Sequence, residues 1–264
     1  MASPEKLRVN ASPTKEFFIY MLTRDVQLSR AIIDLVDNCV DGAHRLRGDG
    51  RYDGLWVRIE LDRDRFRISD NCGGIPIQLA RDYAFRFGRP KEAAETPNSV
   101  GLFGVGMKRT FFKLGRFFSV ESRCRTERFT LRVDVDKWMA SGDQHGPDDW
   151  HFDFEELEED APEVPEGETS TTIEVGSLLP AVSDTFALEN FQQQLILEIT
   201  AAHSVSVDRG LAITVNQLPV NFVPQKLLRS DLLQPAFVEL VPLCGHVIKQ
   251  NGESPLSSLP RALV

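Results

Sequence analysis

Cysteine is scarce and scattered: Cys39, Cys72, Cys124 and Cys244 contain no CxxC pair. That excludes a zinc ribbon and argues against a disulfide framework, so the four read as small apolar residues. Long hydrophobic runs are also missing. No stretch approaches roughly 18 uninterrupted apolar residues, the length a membrane-spanning helix needs. The first 30 residues carry charges throughout rather than an apolar core, so no secretory signal is expected and a cytoplasmic location is. None of the five histidines sits in a phosphoacceptor pattern. Positive charge is in deficit, with 30 Lys and Arg against 39 Asp and Glu and a net charge of −9. This argues against a surface that grips nucleic acid everywhere and leaves room only for a local patch.

What is present is 264 residues, 42% of them hydrophobic, enough for one large or two small domains with a real core. The charge is unevenly placed. Residues 81–137 hold 13 Lys and Arg against 7 acidic residues, whereas 148–168 hold 11 acidic residues and no Lys or Arg. The acidic run reads as a solvated loop, preceded by a short edge strand where Trp150, Phe152 and Phe154 alternate with polar residues. Periodicity predicts helices over 14–23 and Leu28 to Arg47. Two antiparallel strands follow in LWVRIEL and RFRISD, joined by a tight DRD turn, then a helix over 77–87 and another from Met107 to Leu114. Strands RFFSVESRC, RFTLRVDV and TTIEVGSL, a helix from about Ser183 to His203 and a strand LAITVNQLPV complete a mixed sheet covered by helices.

Three patches carry chemistry. On the long helix Asp34, Asn38, Asp41 and Arg45 fall at i, i+4, i+7 and i+11, away from the apolar stripe. A carboxylate one turn from an amide oxygen suits a general base beside a Mg²⁺ ligand. The alternative is a solvated face with Asp41 and Arg45 as an i,i+4 ion pair. In DNCGGI, Asp70 ends a strand where it would accept a hydrogen bond from an exocyclic amine such as that of adenine; a plain turn is the alternative. In GLFGVG, the glycines Gly101, Gly104 and Gly106 open a helix whose first turn carries Lys108 and Arg109. Cations there oppose the helix dipole, which points to an anion such as phosphate at that terminus, though such a loop also serves structural ends. The spacing is neither GxGxxG nor the Walker motif.

Taken together and in this order, DLVDNCVDGA, ISDNCGGI and VGLFGVGMK resemble the motifs of the GHKL ATPases over residues 14–222, most closely the heat-shock-chaperone, MORC and MutL-like members and bacterial stand-alone ATPases. The resemblance implies an α+β two-layer sandwich, the Bergerat ATP-binding fold, with a mostly antiparallel mixed sheet covered by helices on one face. It implies ATP and Mg²⁺ as ligands, with Asp34 as the catalytic carboxylate and Asn38 on the metal. Asp70 would take the adenine amine, Gly74 would permit close approach of the base, and Thr171 would help hold Asp70 and the adenine. Gly101, Phe103, Gly104, Val105 and Gly106 would form the lid loop whose backbone amides, with Lys108, hold the phosphates. Asp41 and Arg45 lie where related helices approach the nucleotide.

Two departures stand out. Asp34 replaces the glutamate of the chaperone and MutL-like members, pulling the carboxylate back by roughly 1.5 Å, when a misplacement of about 1 Å already costs about a hundredfold in rate. Cys72 stands where a glycine is common. The expected function is therefore Mg-dependent ATP binding with slow hydrolysis, driving a conformational and dimerisation switch. A nucleotide sensor that does not hydrolyse ATP is the alternative, and a DNA-associated ATPase a remote one. Expected partners are a second copy of the chain, through the lid region, and an unidentified protein; nucleic acid is not favoured and no membrane is expected. Residues 1–13 read as an N-terminal arm, and 223–264 as the start of a transducer-like segment or a tail.

Overall fold

The computed structural model describes residues 13–87, 106–141 and 150–223, and the backbone of 240–243 and 246–249. The chain divides into two units, Met1–Val223 and Pro224–Val264. In the second, β9 (Leu240–Leu243) and β10 (His246–Lys249) pair antiparallel.

The first unit begins with α1 (Lys15–Thr23), capped by Thr14, whose hydroxyl accepts from the Phe17 N–H at 3.2 Å. The apolar stripe of α2 (Leu28–Arg47) is buried as its spacing predicts, through Ala31, Ile32, Leu35, Val36, Cys39 and Ala43. Gly48, at φ 57°, ends the helix. Strands β1 (Trp56–Leu61) and β2 (Phe66–Asp70) form the expected hairpin, its turn tied by Asp62, which accepts from the N–H groups of Asp64 and Arg65 at 2.8 and 2.9 Å.

The remaining elements are α3 (Ile77–Leu79), α4 (Gly106–Leu114), β3 (Gly115–Arg123), β4 (Arg128–Asp134), α5 (Val135–Ser141), β5 (Phe154–Glu158), β6 (Ser170–Leu178), α6 (Pro180–Phe186), α7 (Glu189–Asp208), β7 (Ala212–Val215) and β8 (Leu218–Pro219). Eight strands form one sheet in the order β5-β4-β3-β6-β2-β1-β7-β8, in which only β1 and β7 run parallel. Inward positions such as Val57, Ile59, Ile68, Val120, Leu131, Ile173 and Ile213 are buried under the helices, while Arg58, Glu60, Glu121 and Arg132 on the opposite face are exposed. The result is the expected α+β two-layer sandwich with helices on one face of a mostly antiparallel mixed sheet.

Four local expectations change. The 77–87 segment is one turn of α-helix followed by a π turn over Ala80–Ala84. The 183–203 helix is two helices, broken at Leu188, which is extended at φ −84° and ψ 119°. LAITVNQLPV is a tight hairpin, because Asn216 and Gln217 both take positive φ, the geometry of a two-residue hairpin turn. The acidic run is not solvated loop throughout: β5 lies within it, and its glutamates face the arginines of β4. Arg128 pairs with Glu158, and Arg132 with Glu155 and, from β3, Glu121. Arg81 and Arg125 meet Glu159 and Glu163. The acidic segment therefore pairs with four of the thirteen cations of residues 81–137.

Candidate functional site

Helix α2 packs its apolar stripe on the sheet, and this fixes where its polar face looks. Asp34 is largely enclosed, with 12% of its side chain exposed. Its Oδ2 is ion-paired to the Arg109 guanidinium of α4, and its Oδ1 lies 3.6 Å from Arg30 Nε one turn away. Asn38 and Arg45 are exposed and Asp41 is half-buried, so exposure alternates along this face of the helix.

The turn after β2 is shaped by backbone rather than side chains. Gly73 and Gly74 take φ 98° and 73°. A Cβ at Gly74 would stand 2.6 Å from the Arg123 carbonyl oxygen at the end of β3. The close approach seen at Gly74 is thus to a neighbouring strand. Asn71 anchors the turn to the start of β1, accepting from the Trp56 N–H at 2.7 Å and donating to the Gly54 carbonyl at 3.0 Å.

Above this turn the sheet's inner face carries a buried polar notch. Asp70 pairs in register with Thr171 on β6, and Thr171 with Ser122 on β3; all three are buried. Asp70 accepts from the Cys72 N–H at 2.8 Å and from the Cys39 thiol of α2 at 3.3 Å. Burial pushes its carboxyl up to about 6, against the Cys72 and Cys39 hydrogen bonds and the positive charge of Arg45, which hold it down. An ionised carboxylate offers about four lone-pair sites, so Asp70 keeps acceptor capacity after these two bonds. Cys39, Cys72 and Cys124 have their thiol pKa values raised by burial, which suits them to a packing role.

Helix α4 closes the site from the other side. The Thr110 hydroxyl donates to the Ala31 carbonyl at 2.7 Å, fixing α4 on α2 beside the Arg109–Asp34 pair. Gly106 opens the helix directly against Asp34. Lys108, expected at the phosphates, is 1% exposed, and its Nζ donates to the Ala84 carbonyl at 2.6 Å, at the end of the π turn. Burial lowers its pKa to about 8. Gly101, Phe103, Gly104 and Val105 lie outside the described residues. A separate cavity of about 730 Å³, lined by rings that include Phe18, Phe85 and Trp150, contains none of the expected site residues.

Sequence reasoning missed one partnership on α2. Asp37 Oδ1 lies 3.3 Å from Nε2 of His203, which sits at a kink in α7 with φ −120° and ψ 21°. The contact is close but outside hydrogen-bonding geometry, leaving Nε2 without a hydrogen-bond partner among the described residues. Burial pushes the Asp37 carboxyl up to about 6, with Arg30 opposing and Asp34 and Asp41 adding to the shift. Burial, then Arg30, lower His203 to about 4. Because the folded value of His203 lies below its ordinary 6.5, the stability it contributes is present above pH 6.5 and is lost as pH falls toward 4. Between pH 7 and 5 that loss is about 2 kcal/mol. His203→Leu should therefore lose about 2 kcal/mol less than wild type over that interval in urea unfolding; parallel pH profiles would reject the assignment. Only the fold reveals this pair, since 166 residues separate its members.

A family model described as histidine kinase-, DNA gyrase B-, and HSP90-like ATPase matches residues 26–163, more than half of the chain. That span contains α2, the Asp70 turn and α4. No curated protein matches the chain.

Proposed function

The chain belongs to the histidine kinase-, DNA gyrase B- and HSP90-like ATPase family, which supports ATP binding, and we propose that it binds Mg·ATP between α2, the Asp70 turn and α4, hydrolyses it slowly, and uses the nucleotide state as a conformational switch. The observation that carries the reading is the buried Asp70–Thr171 pair under Cys39, a notch with spare acceptor capacity in an otherwise apolar sheet face. An adenine amine donates into such a notch, and little else in the core has need of an enclosed carboxylate.

The donor set also fits the metal. Among the described residues no cluster of three or more His, Cys, Asp or Glu side chains would hold an ion. A single exposed amide oxygen, Asn38, stands one turn from Asp34. Mg²⁺ is commonly held in this way, by one protein oxygen with phosphate oxygens and water completing its shell. When bound it neutralises phosphate charge; the remaining work falls to the protein.

In that reaction the water oxygen bonds to the γ-phosphorus, the bond from phosphorus to the bridging oxygen breaks, and ADP leaves with the electron pair. The proton released by the water passes to Asp34. Both Asp34 oxygens already face guanidinium groups, and the side chain is a methylene shorter than the glutamate of related enzymes, so turnover is slow. The same observation favours the second reading, a sensor that does not turn over. The test is calorimetric titration of ATP and ADP with and without Mg²⁺, followed by single-turnover hydrolysis. Asp34→Asn is expected to keep ATP affinity while slowing hydrolysis about a hundredfold. Equal rates in variant and wild type would remove Asp34 from the chemistry, and absence of any turnover in wild type would select the sensor.

For partners, a second copy of the chain meeting through the lid region remains our proposal. No helix among the described residues is long and apolar enough to cross a membrane.

A further inference from the structure

We infer that Arg109 is the residue that reads the terminal phosphate of ATP, an inference that rests on the ATP site proposed above. The first turn of α4 carries two cations, and the fold treats them differently. Lys108 is turned into the core, its Nζ on the Ala84 carbonyl. Arg109 is turned to the opposite requirement: it lies against Asp34, the carboxylate placed to meet the attacking water, with 29% of its side chain still exposed.

The guanidinium is only partly used in this position. One nitrogen, Nη2, pairs with Asp34 Oδ2, while Nε is buried with no hydrogen-bond partner among the described residues. A buried N–H without an acceptor is costly, and a guanidinium presents five donors in a fixed planar fork suited to anionic oxygens. The part of the fork that remains exposed offers its N–H groups to an oxygen of the terminal phosphate. It also sits where Asp34 has to find the water, because the group that touches Asp34 is the group that touches the phosphate. Thr110, one residue on, bonds the Ala31 carbonyl and holds this turn of α4 in place, so the fork is positioned before ligand arrives. Lys108 and Arg109 thus divide the labour expected of one lysine. Lys108 ties the start of α4 to the π turn, and Arg109 distinguishes a triphosphate from a diphosphate.

The experiment compares ATP and ADP affinity by calorimetry in Mg²⁺ for wild type, Arg109→Ala and Arg109→Lys, with single-turnover hydrolysis measured alongside. Arg109→Ala should weaken ATP about tenfold to thirtyfold, leave ADP within about twofold, and slow hydrolysis about a hundredfold. Arg109→Lys, which keeps the charge beside Asp34 and loses the fork, should recover part of the ATP affinity. An equal loss for ATP and ADP in Arg109→Ala, or faster hydrolysis in that variant, would overturn the inference; the second result would make Arg109 a clamp on Asp34. Should wild type bind neither nucleotide, it is the ATP site itself that fails, a result distinct from both.

Discussion

Asp70→Asn should lower ATP affinity about a thousandfold while leaving the protein folded and more stable than wild type. The Cys72 N–H fixes the orientation of the new side chain, because it needs the amide oxygen where Asp70 Oδ1 accepts it at 2.8 Å. The amide nitrogen then occupies the place of Oδ2, beside the Cys39 sulfur. It presents donors to an incoming adenine amine, which is itself a donor, so a charge-assisted bond is exchanged for a repulsion. Sites built around buried hydrogen bonds reject the wrong partner by factors of this size or larger.

The stability change runs the other way. Burial holds the Asp70 carboxyl at about 6, above its ordinary 3.8, so the folded protein carries a burden that is full above pH 6 and absent below about pH 4. At neutral pH that burden is about 3 kcal/mol, and an uncharged amide of the same shape removes most of it. Calorimetry with ATP and urea unfolding on the same two samples measure both effects. Unchanged ATP binding would take Asp70 out of base recognition, and a destabilised variant would show its carboxylate to be structural.

The parts of the fold legible in the sequence are those set by local periodicity. The stripe from Ala31 to Ala43, the alternation in β1 and β2, and the position of Asp70 at a strand end all follow from neighbours within a turn or a strand. The errors fall where a distant partner decides. The glutamates of β5 read as solvated because the arginines that order them, Arg128 and Arg132, lie about 25 residues upstream. Nor does anything local announce the Ala84 carbonyl that the buried Lys108 meets. His203 has no neighbour in sequence to mark it as the partner of Asp37. In the candidate site the order of motifs anticipates that α2 meets the end of β2, where the Cys39 thiol reaches Asp70 and Thr171 lies in register with it. The sequence does not reveal that Gly74 is dictated by the Arg123 backbone, or that Arg109 lies on Asp34.

Gly42 is where this convergence is most easily broken. A Cβ there would stand 2.6 Å from the Cys72 carbonyl oxygen and 3.1 Å from the Cys72 Cβ, so α2 touches the Asp70 turn backbone to backbone. A side chain cannot relax this contact by changing rotamer. Either the helix or the turn has to move, and moving the helix displaces Asp34 and Asn38, which lie on the same helix, from Asp70. Helix propensity favours replacement of a mid-helix glycine by about 1 kcal/mol for alanine. Gly42→Val gains little of this, because its branched Cβ loses rotamer freedom in a helix, and it adds the full overlap. Overpacking of this kind costs about 3 kcal/mol, enough to lower the urea midpoint clearly and to weaken ATP by tenfold or more through misplacement alone. Gly167→Ala is the matched control, since a Cβ there meets nothing within 4 Å and its stability should shift by less than about 0.5 kcal/mol. A Gly42→Val protein as stable as wild type would mean that α2 and the turn are not held in contact. The shared geometry of Asp34, Asn38 and Asp70 would then need some other brace.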